Sequence, residues 1–150
     1  MESKEMTVDT LNDLVLINND RITGYERALQ ELDEQDADLK PIFTNYIQQS
    51  QQCKMELGTE IQSYGEDMET GSTSSGTLYR AWMDIKAVFT GHDRETVLAN
   101  CEAGEDAAQI AYKTALEDEE LPAYLREIIT RQQEVLRTAH NEVKSLRDIA

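Results

Sequence analysis

Hydrophobic residues recur every three or four positions along most of the chain, which is the spacing that keeps them on one face of an α-helix. Four long stretches of this kind predict helices over residues 7–34, 38–64, 94–117 and 122–148. Asp38 and Asp93 stand where N-caps are needed, and Gly65 stands where the second helix should stop. No stretch alternates as a half-buried strand does, so the fold class is predicted to be all-α.

The connection between the second and third long helices is much longer than the other two. Residues 65–76 are rich in Gly, Ser and Thr and are predicted to be a flexible loop, and residues 77–90 are predicted to be a short helix. About 13 helical residues span roughly 20 Å, so loop and helix together can carry the chain to the other end of a bundle. The apolar stripe of the short helix is expected to pack on that bundle through Leu78, Trp82, Ile85 and Phe89.

This connection predicts the topology. The tight turns join antiparallel neighbours, whereas the long crossover makes the second and third long helices parallel. One such crossover, carrying one short extra helix, is the ferritin-like arrangement of a four-helix bundle. We therefore expect a single ferritin-like four-helix-bundle domain over residues 1–150.

Charge and composition limit the partners and the cellular location that can be expected for this protein. The 150 residues include 14 basic and 30 acidic side chains, for a net charge of −16. Nucleic acid and anionic membranes attract clustered Lys and Arg, so neither is expected as a partner. The N-terminus lacks the apolar run of a signal peptide, which predicts a cytoplasmic protein. Cys53 and Cys101 lie on apolar faces and are expected to be reduced, slowly reacting core residues.

A metal pair is the first chemistry to consider in such a bundle. Di-iron bundles place a Glu on each of two helices and Glu-x-x-His on each of the other two. The sequence contains no Glu-x-x-His, and the cation Arg137 stands three residues before His140. We therefore expect no catalytic residues, no metal and no other cofactor. The alternative is an atypical iron or manganese site composed of Glu26, Glu102, Glu105 and His140.

A polar centre is predicted instead. At about 100° per residue, Glu105 falls on the inner face of the third long helix, at the level of Tyr25, Ser50 and Gln132. Tyr46 also points inward. Glu105 is expected to be held by one of these four side chains, and its replacement by Gln is expected to maintain or raise stability. Its role is then structural.

Several sequence strings resemble one family. They are Leu11-Asn-Asp-Leu14, Tyr25-Glu26, Tyr79-Arg-Ala-Trp-Met-Asp-Ile-Lys86, Cys101-Glu-Ala-Gly-Glu-Asp-Ala107 and Arg131-Gln-Gln-Glu-Val-Leu-Arg-Thr-Ala-His140. Together they are similar to a bacterial family of ferritin-like four-helix-bundle proteins built on a domain of unknown function, over about residues 10–148. The resemblance implies a ferritin-like fold in a cytoplasmic bacterial protein and implies no reaction.

These observations predict a non-enzymatic helical bundle that acts through its surface or through self-assembly. Its partner would be another copy of the chain or a different protein. Two other function classes stay open. One is the atypical di-iron or di-manganese protein, and the other is a bundle that binds a small molecule between its helices.

Overall fold

The computed structural model describes residues 2–66, 68 and 93–150, and all regular structure in these ranges is helical. The long helices are α1 (Glu2–Glu31), α2 (Leu39–Ser63), α3 (Arg94–Leu116) and α4 (Ala123–Asp148). A 3-10 turn, Glu34–Asp36, lies between α1 and α2. The predicted all-α class is confirmed for this part of the chain. The predicted helix over 77–90, with its stripe around Trp82, lies outside the described residues, as does most of the predicted loop.

The helices form a four-membered bundle. α1 packs along both α2 and α3, α3 packs along α4, and α2 makes only a small contact with α4. Arg21 contacts Glu105, whereas Asn18, one turn earlier on α1, contacts Tyr112, so α1 and α3 are antiparallel. The same reversal holds for α1 and α2 in the contacts Tyr25–Phe43 and Arg21–Ser50. Consequently α2 and α3 run in the same direction, as the sequence analysis expects. No described helix is long and apolar enough to cross a membrane.

Helix ends differ in how far they follow the sequence prediction. The Asp93 carboxylate accepts a hydrogen bond from the Thr96 backbone N–H at 3.3 Å, so the predicted cap of α3 is confirmed. The predicted side-chain cap at Asp38 is wrong. Its carboxylate instead receives two hydrogen bonds of 2.8 Å from Arg94, because the start of α3 lies beside the turn between α1 and α2. This bidentate contact lowers the pKa of Asp38.

Gly65 ends α2 in a left-handed conformation, with φ of 80°. Its N–H bonds to the Gln62 carbonyl, and the Glu66 N–H reaches back to the Ile61 carbonyl, which is the pattern of a Schellman C-cap. A Cβ at this position would meet no atom of the described residues within 4 Å, so the backbone conformation is what opposes a side chain there.

Replacing Gly65 with alanine is therefore expected to lower the free energy of unfolding by about 1–2 kcal/mol, which is the cost of the left-handed conformation for an L-residue. Urea denaturation of both proteins measures the difference. Gly65→Asn serves as the comparison, because Asn tolerates this conformation better than Ala, and it should lose less stability. Equal losses in the two variants would contradict the explanation.

The core contains the side chains that the helical spacing placed inward. Cys53 is 7% exposed and Cys101 is 4% exposed, and both are free thiols, which confirms their assignment to the core. Burial raises the pKa of Cys53 to about 11. Burial and the nearby Glu105 carboxylate raise the pKa of Cys101 still further.

Both thiols are expected to react slowly in the folded protein. At pH 8, a thiol with a pKa of about 11 is ionised roughly a hundredfold less than one with the ordinary value of 9.0. Labelling with a bulky maleimide, followed by mass spectrometry, measures the rates. Protein unfolded in urea is the control and should take up two labels quickly. Fast double labelling without urea would contradict the burial of these cysteines.

Candidate functional site

A buried ion pair lies in the middle of the bundle, between α1 and α3. Arg21 and Glu105 are both fully buried. Arg21 Nε lies 2.5 Å from Glu105 Oε1, and Nη2 donates to Oε2 at 3.1 Å, so the contact is bidentate. Bidentate guanidinium–carboxylate pairs are among the strongest hydrogen-bonded contacts in proteins.

The remaining guanidinium donors of Arg21 are satisfied by α2. Nη1 donates to the Tyr46 carbonyl and to Ser50 Oγ, each at 2.9 Å, and Nη2 donates to Gln49 Oε1 at 3.2 Å. With the two bonds to Glu105, these contacts use all five N–H groups of the guanidinium. One side chain of α1 thereby joins α2 and α3.

Aromatic rings and charge complete the surroundings of Arg21. Its guanidinium carbon lies 5.4 Å from the ring centres of both Tyr25 and Tyr46. Burial alone would lower the pKa of Arg21, but the adjacent Glu105 carboxylate raises it above the ordinary value, so the cation is permanent. Burial, reinforced by Glu105, raises the pKa of Tyr25 well above its ordinary value.

The predicted partners of Glu105 require a correction. Its carboxylate is held by Arg21 rather than by Tyr25, Tyr46, Ser50 or Gln132. Of these four, Ser50 and the Tyr46 carbonyl contact Arg21, and the Tyr25 hydroxyl has no hydrogen-bond partner among the described residues. The Tyr46 hydroxyl bonds to Glu142 of α4. Arg21 was not among the residues predicted for the polar centre. Its position seven residues after the buried Leu14 was the signal that it faces inward.

A series of side-chain hydrogen bonds crosses the bundle next to the ion pair. Asn18 Nδ2 donates to the Tyr112 hydroxyl at 2.9 Å, and that hydroxyl donates to Gln132 Oε1 at 2.7 Å. Gln132 Nε2 donates in turn to Glu56 Oε1 at 2.8 Å, and Glu56 pairs with Arg131 at the surface. Gln132 is thus central and buried, but it belongs to this chain of hydrogen bonds rather than to Glu105.

The hydrogen bonds around Arg21 and the chain of hydrogen bonds through Tyr112 both extend to a cleft between α2 and α4. The cleft has a volume of about 260 Å³ and is lined by residues of these two helices. Gln49, the acceptor of Arg21, lines it together with Gln132, Cys53 and the Glu56–Arg131 pair. Burial opposes ionisation of Glu56, but the hydrogen bonds from Arg131 and Gln132 outweigh that effect and lower its pKa.

The four residues of the alternative metal site are not brought together. Glu26 is exposed on α1, and Glu105 is occupied by Arg21. Glu102 and His140 do meet, at the contact between α3 and α4, and Asp106 joins them there. Asp106 was not predicted as a ligand, because it lies outside the apolar face of α3.

The comparisons with known proteins identify one family. A family model described as "Domain of unknown function (DUF2383)" matches residues 6–118 of the chain. That span contains Arg21, Glu105 and Tyr112 and ends just after α3, so Gln132 and His140 of α4 lie beyond it. No curated protein and no solved structure shows significant similarity to the chain.

Proposed function

The chain belongs to the DUF2383 family, and we propose that this protein is a ferritin-like helical bundle of the bacterial cytoplasm that has no metal pair at its centre and acts through its surface. The parallel course of α2 and α3, joined by residues 64–93, supports the ferritin-like part of the proposal. The matched family has no assigned activity, so the proposed function depends on the geometry of the site.

The Arg21–Glu105 pair is the observation that carries the proposal. A di-metal centre in such a bundle needs several inward carboxylates that are free to bridge two cations. Here both oxygens of the central Glu105 accept hydrogen bonds from Arg21. A permanent guanidinium charge at low dielectric repels a divalent cation in the same space. The centre therefore serves to connect α1, α2 and α3.

The surface is then the part of the molecule available for function. A net charge of −16 keeps separate chains apart at low salt and favours a partner with a basic face. A second copy of the chain would need a contact from which acidic side chains are excluded, or one that counter-ions screen.

Metal content and iron oxidation test this proposal. Protein purified without a chelating tag is expected to hold no iron or manganese pair and to oxidise Fe²⁺ no faster than buffer. Glu105→Gln should behave in the same way, and Glu134→Gln, an exposed carboxylate on α4, is the control for lost charge. Two equivalents of iron or manganese per chain, lost in Glu105→Gln alone, would overturn the proposal. Light scattering at low and high salt then distinguishes self-assembly from a monomer that binds another protein.

The cleft between α2 and α4 favours a second candidate function, which is binding of a small zwitterion. Glu56 and Arg131 present a carboxylate and a guanidinium side by side at its wall, which match an ammonium and a carboxylate on one ligand. The amides of Gln49 and Gln132 provide further polar contacts. Thermal shifts with free amino acids test this function. Val135→Trp, which fills the cleft, should abolish any shift, whereas Ile110→Trp at an exposed site of α3 should preserve it.

A further inference from the structure

Three metal-ligating side chains meet where α3 packs on α4. Glu102 and Asp106 are one turn apart on α3, and His140 faces them from α4. Each offers one ligand atom, and these atoms lie within 4.8 Å of one another. His140 Nε2 is 2.5 Å from Asp106 Oδ1. The grouping is separate from the bundle centre.

The orientation of the His140 ring is the second observation. Its Nδ1 lies 3.2 Å from Asn141 Oδ1, so both ring nitrogens face an oxygen. A neutral imidazole has one N–H, so in either tautomer one ring nitrogen presents its lone pair to an oxygen. A metal cation bound by Nε2 and the Asp106 carboxylate, with Nδ1–H donating to Asn141, would satisfy both nitrogens. In metal sites, the ring nitrogen that does not bind the metal is commonly held by an oxygen in this way.

Glu102 supplies the least accessible of the three ligands. Its side chain is 12% exposed, and its Oε2 is shielded from solvent and accepts no well-directed hydrogen bond from the part of the chain that the structure describes. Arg147 forms an ion pair with it and also pairs with Asp148 near the end of α4. A cation therefore already balances the charge of Glu102, and a metal ion would compete with this guanidinium.

We propose that Glu102, Asp106 and His140 form a mononuclear site for a divalent cation of the zinc type. One imidazole nitrogen and two carboxylate oxygens suit Zn²⁺ better than Ca²⁺ or Mg²⁺, which prefer oxygen ligands throughout. Three protein ligands leave a fourth position for water. Donors of a tetrahedral zinc site lie about 3.4 Å apart, so Asp106 moves away from His140 when zinc binds. Asp106 is 57% exposed and can make this adjustment.

Calorimetric titration of the full chain with Zn²⁺, in excess Mg²⁺ to cover the other acidic groups, tests the site. One equivalent is expected to bind, and Asp106→Asn and His140→Asn should each weaken the affinity by about tenfold or more. Glu134→Gln is a matched control, because its side chain is 58% exposed on the same helix as His140. Circular dichroism verifies that each variant is folded.

Arg147→Gln is expected to change the zinc affinity in the opposite direction. It removes the cation that competes for Glu102 and is expected to tighten zinc binding several-fold, whereas a weaker affinity would overturn the assignment of Glu102 as a ligand. Absence of zinc binding, or affinity unchanged in Asp106→Asn and His140→Asn, would overturn the site. Loss of binding in His92→Asn, at the other histidine of the sequence, would place the metal elsewhere and also overturn it. None of these results depends on Glu105, so they are separate from the test of the proposed function.

Discussion

Replacing Arg21 with methionine is expected to lower the free energy of unfolding by about 3–5 kcal/mol, because the Glu105 carboxylate is then buried without its counter-ion. Arg21 and Glu105 are both fully buried, so water cannot replace the lost contact without opening the bundle. The Tyr46 carbonyl, Ser50 and Gln49 lose a donor in the same step. Urea denaturation, monitored by circular dichroism, measures the change.

A double variant separates the buried charge from the loss of packing. Arg21→Met combined with Glu105→Leu removes both charges, and it is expected to recover most of the lost stability, since an apolar pair of similar volume often equals or exceeds a buried ion pair. Arg27→Met is the control on the same helix. Arg27 is 42% exposed and paired with Glu31, so its loss should cost no more than about 0.5 kcal/mol. A double variant as unstable as Arg21→Met would contradict the electrostatic explanation.

Replacing Tyr112 with phenylalanine is expected to cost about 1–3 kcal/mol, because the lost hydroxyl is the link between Asn18 and Gln132. The ring still fills its place in the core, so the packing changes little. Gln132 Oε1 then lacks its donor in a buried environment. Thermal and urea denaturation measure the effect.

Tyr124→Phe is the matched control, since this tyrosine is 51% exposed on α4. Its change in stability should stay within about 0.5 kcal/mol. Equal effects at the two positions would show that the hydroxyl of Tyr112 contributes no more than a surface hydroxyl, and that the chain of hydrogen bonds to Glu56 is not a source of stability.

The helices were predictable because their apolar spacing is regular and few glycines or prolines interrupt it. The predicted first helix, 7–34, extends instead over Glu2–Glu31, and the other long helices agree within about one residue at each end. Periodicity locates a helix well, but it does not fix the first or last turn, where hydrogen bonds to side chains and neighbouring elements compete. Asp38 is an example. Its carboxylate was expected to cap α2, but it accepts hydrogen bonds from Arg94, which is distant in sequence.

The central site was less predictable for a different reason. The inward direction of Glu105 follows from helical geometry, but a hydrophobicity pattern counts Arg21 as a surface residue. Its burial depends on a counter-ion and acceptors on two other helices, which no local pattern contains. Glu105→Gln, expected from the sequence to preserve stability, is now expected to reduce it, because it leaves a buried guanidinium without an opposing charge.

The ion pair also has a consequence for the order in which the molecule folds. Arg21 and Glu105 are 84 residues apart in the sequence, whereas α1–α2 and α3–α4 are each joined by a short turn. Contacts within these two hairpins close small loops and are expected to form first, whereas the pair can form only when the hairpins dock and exclude water. Docking in a wrong register would leave both charges buried and unpaired, so we expect the pair to favour the correct register between the two halves.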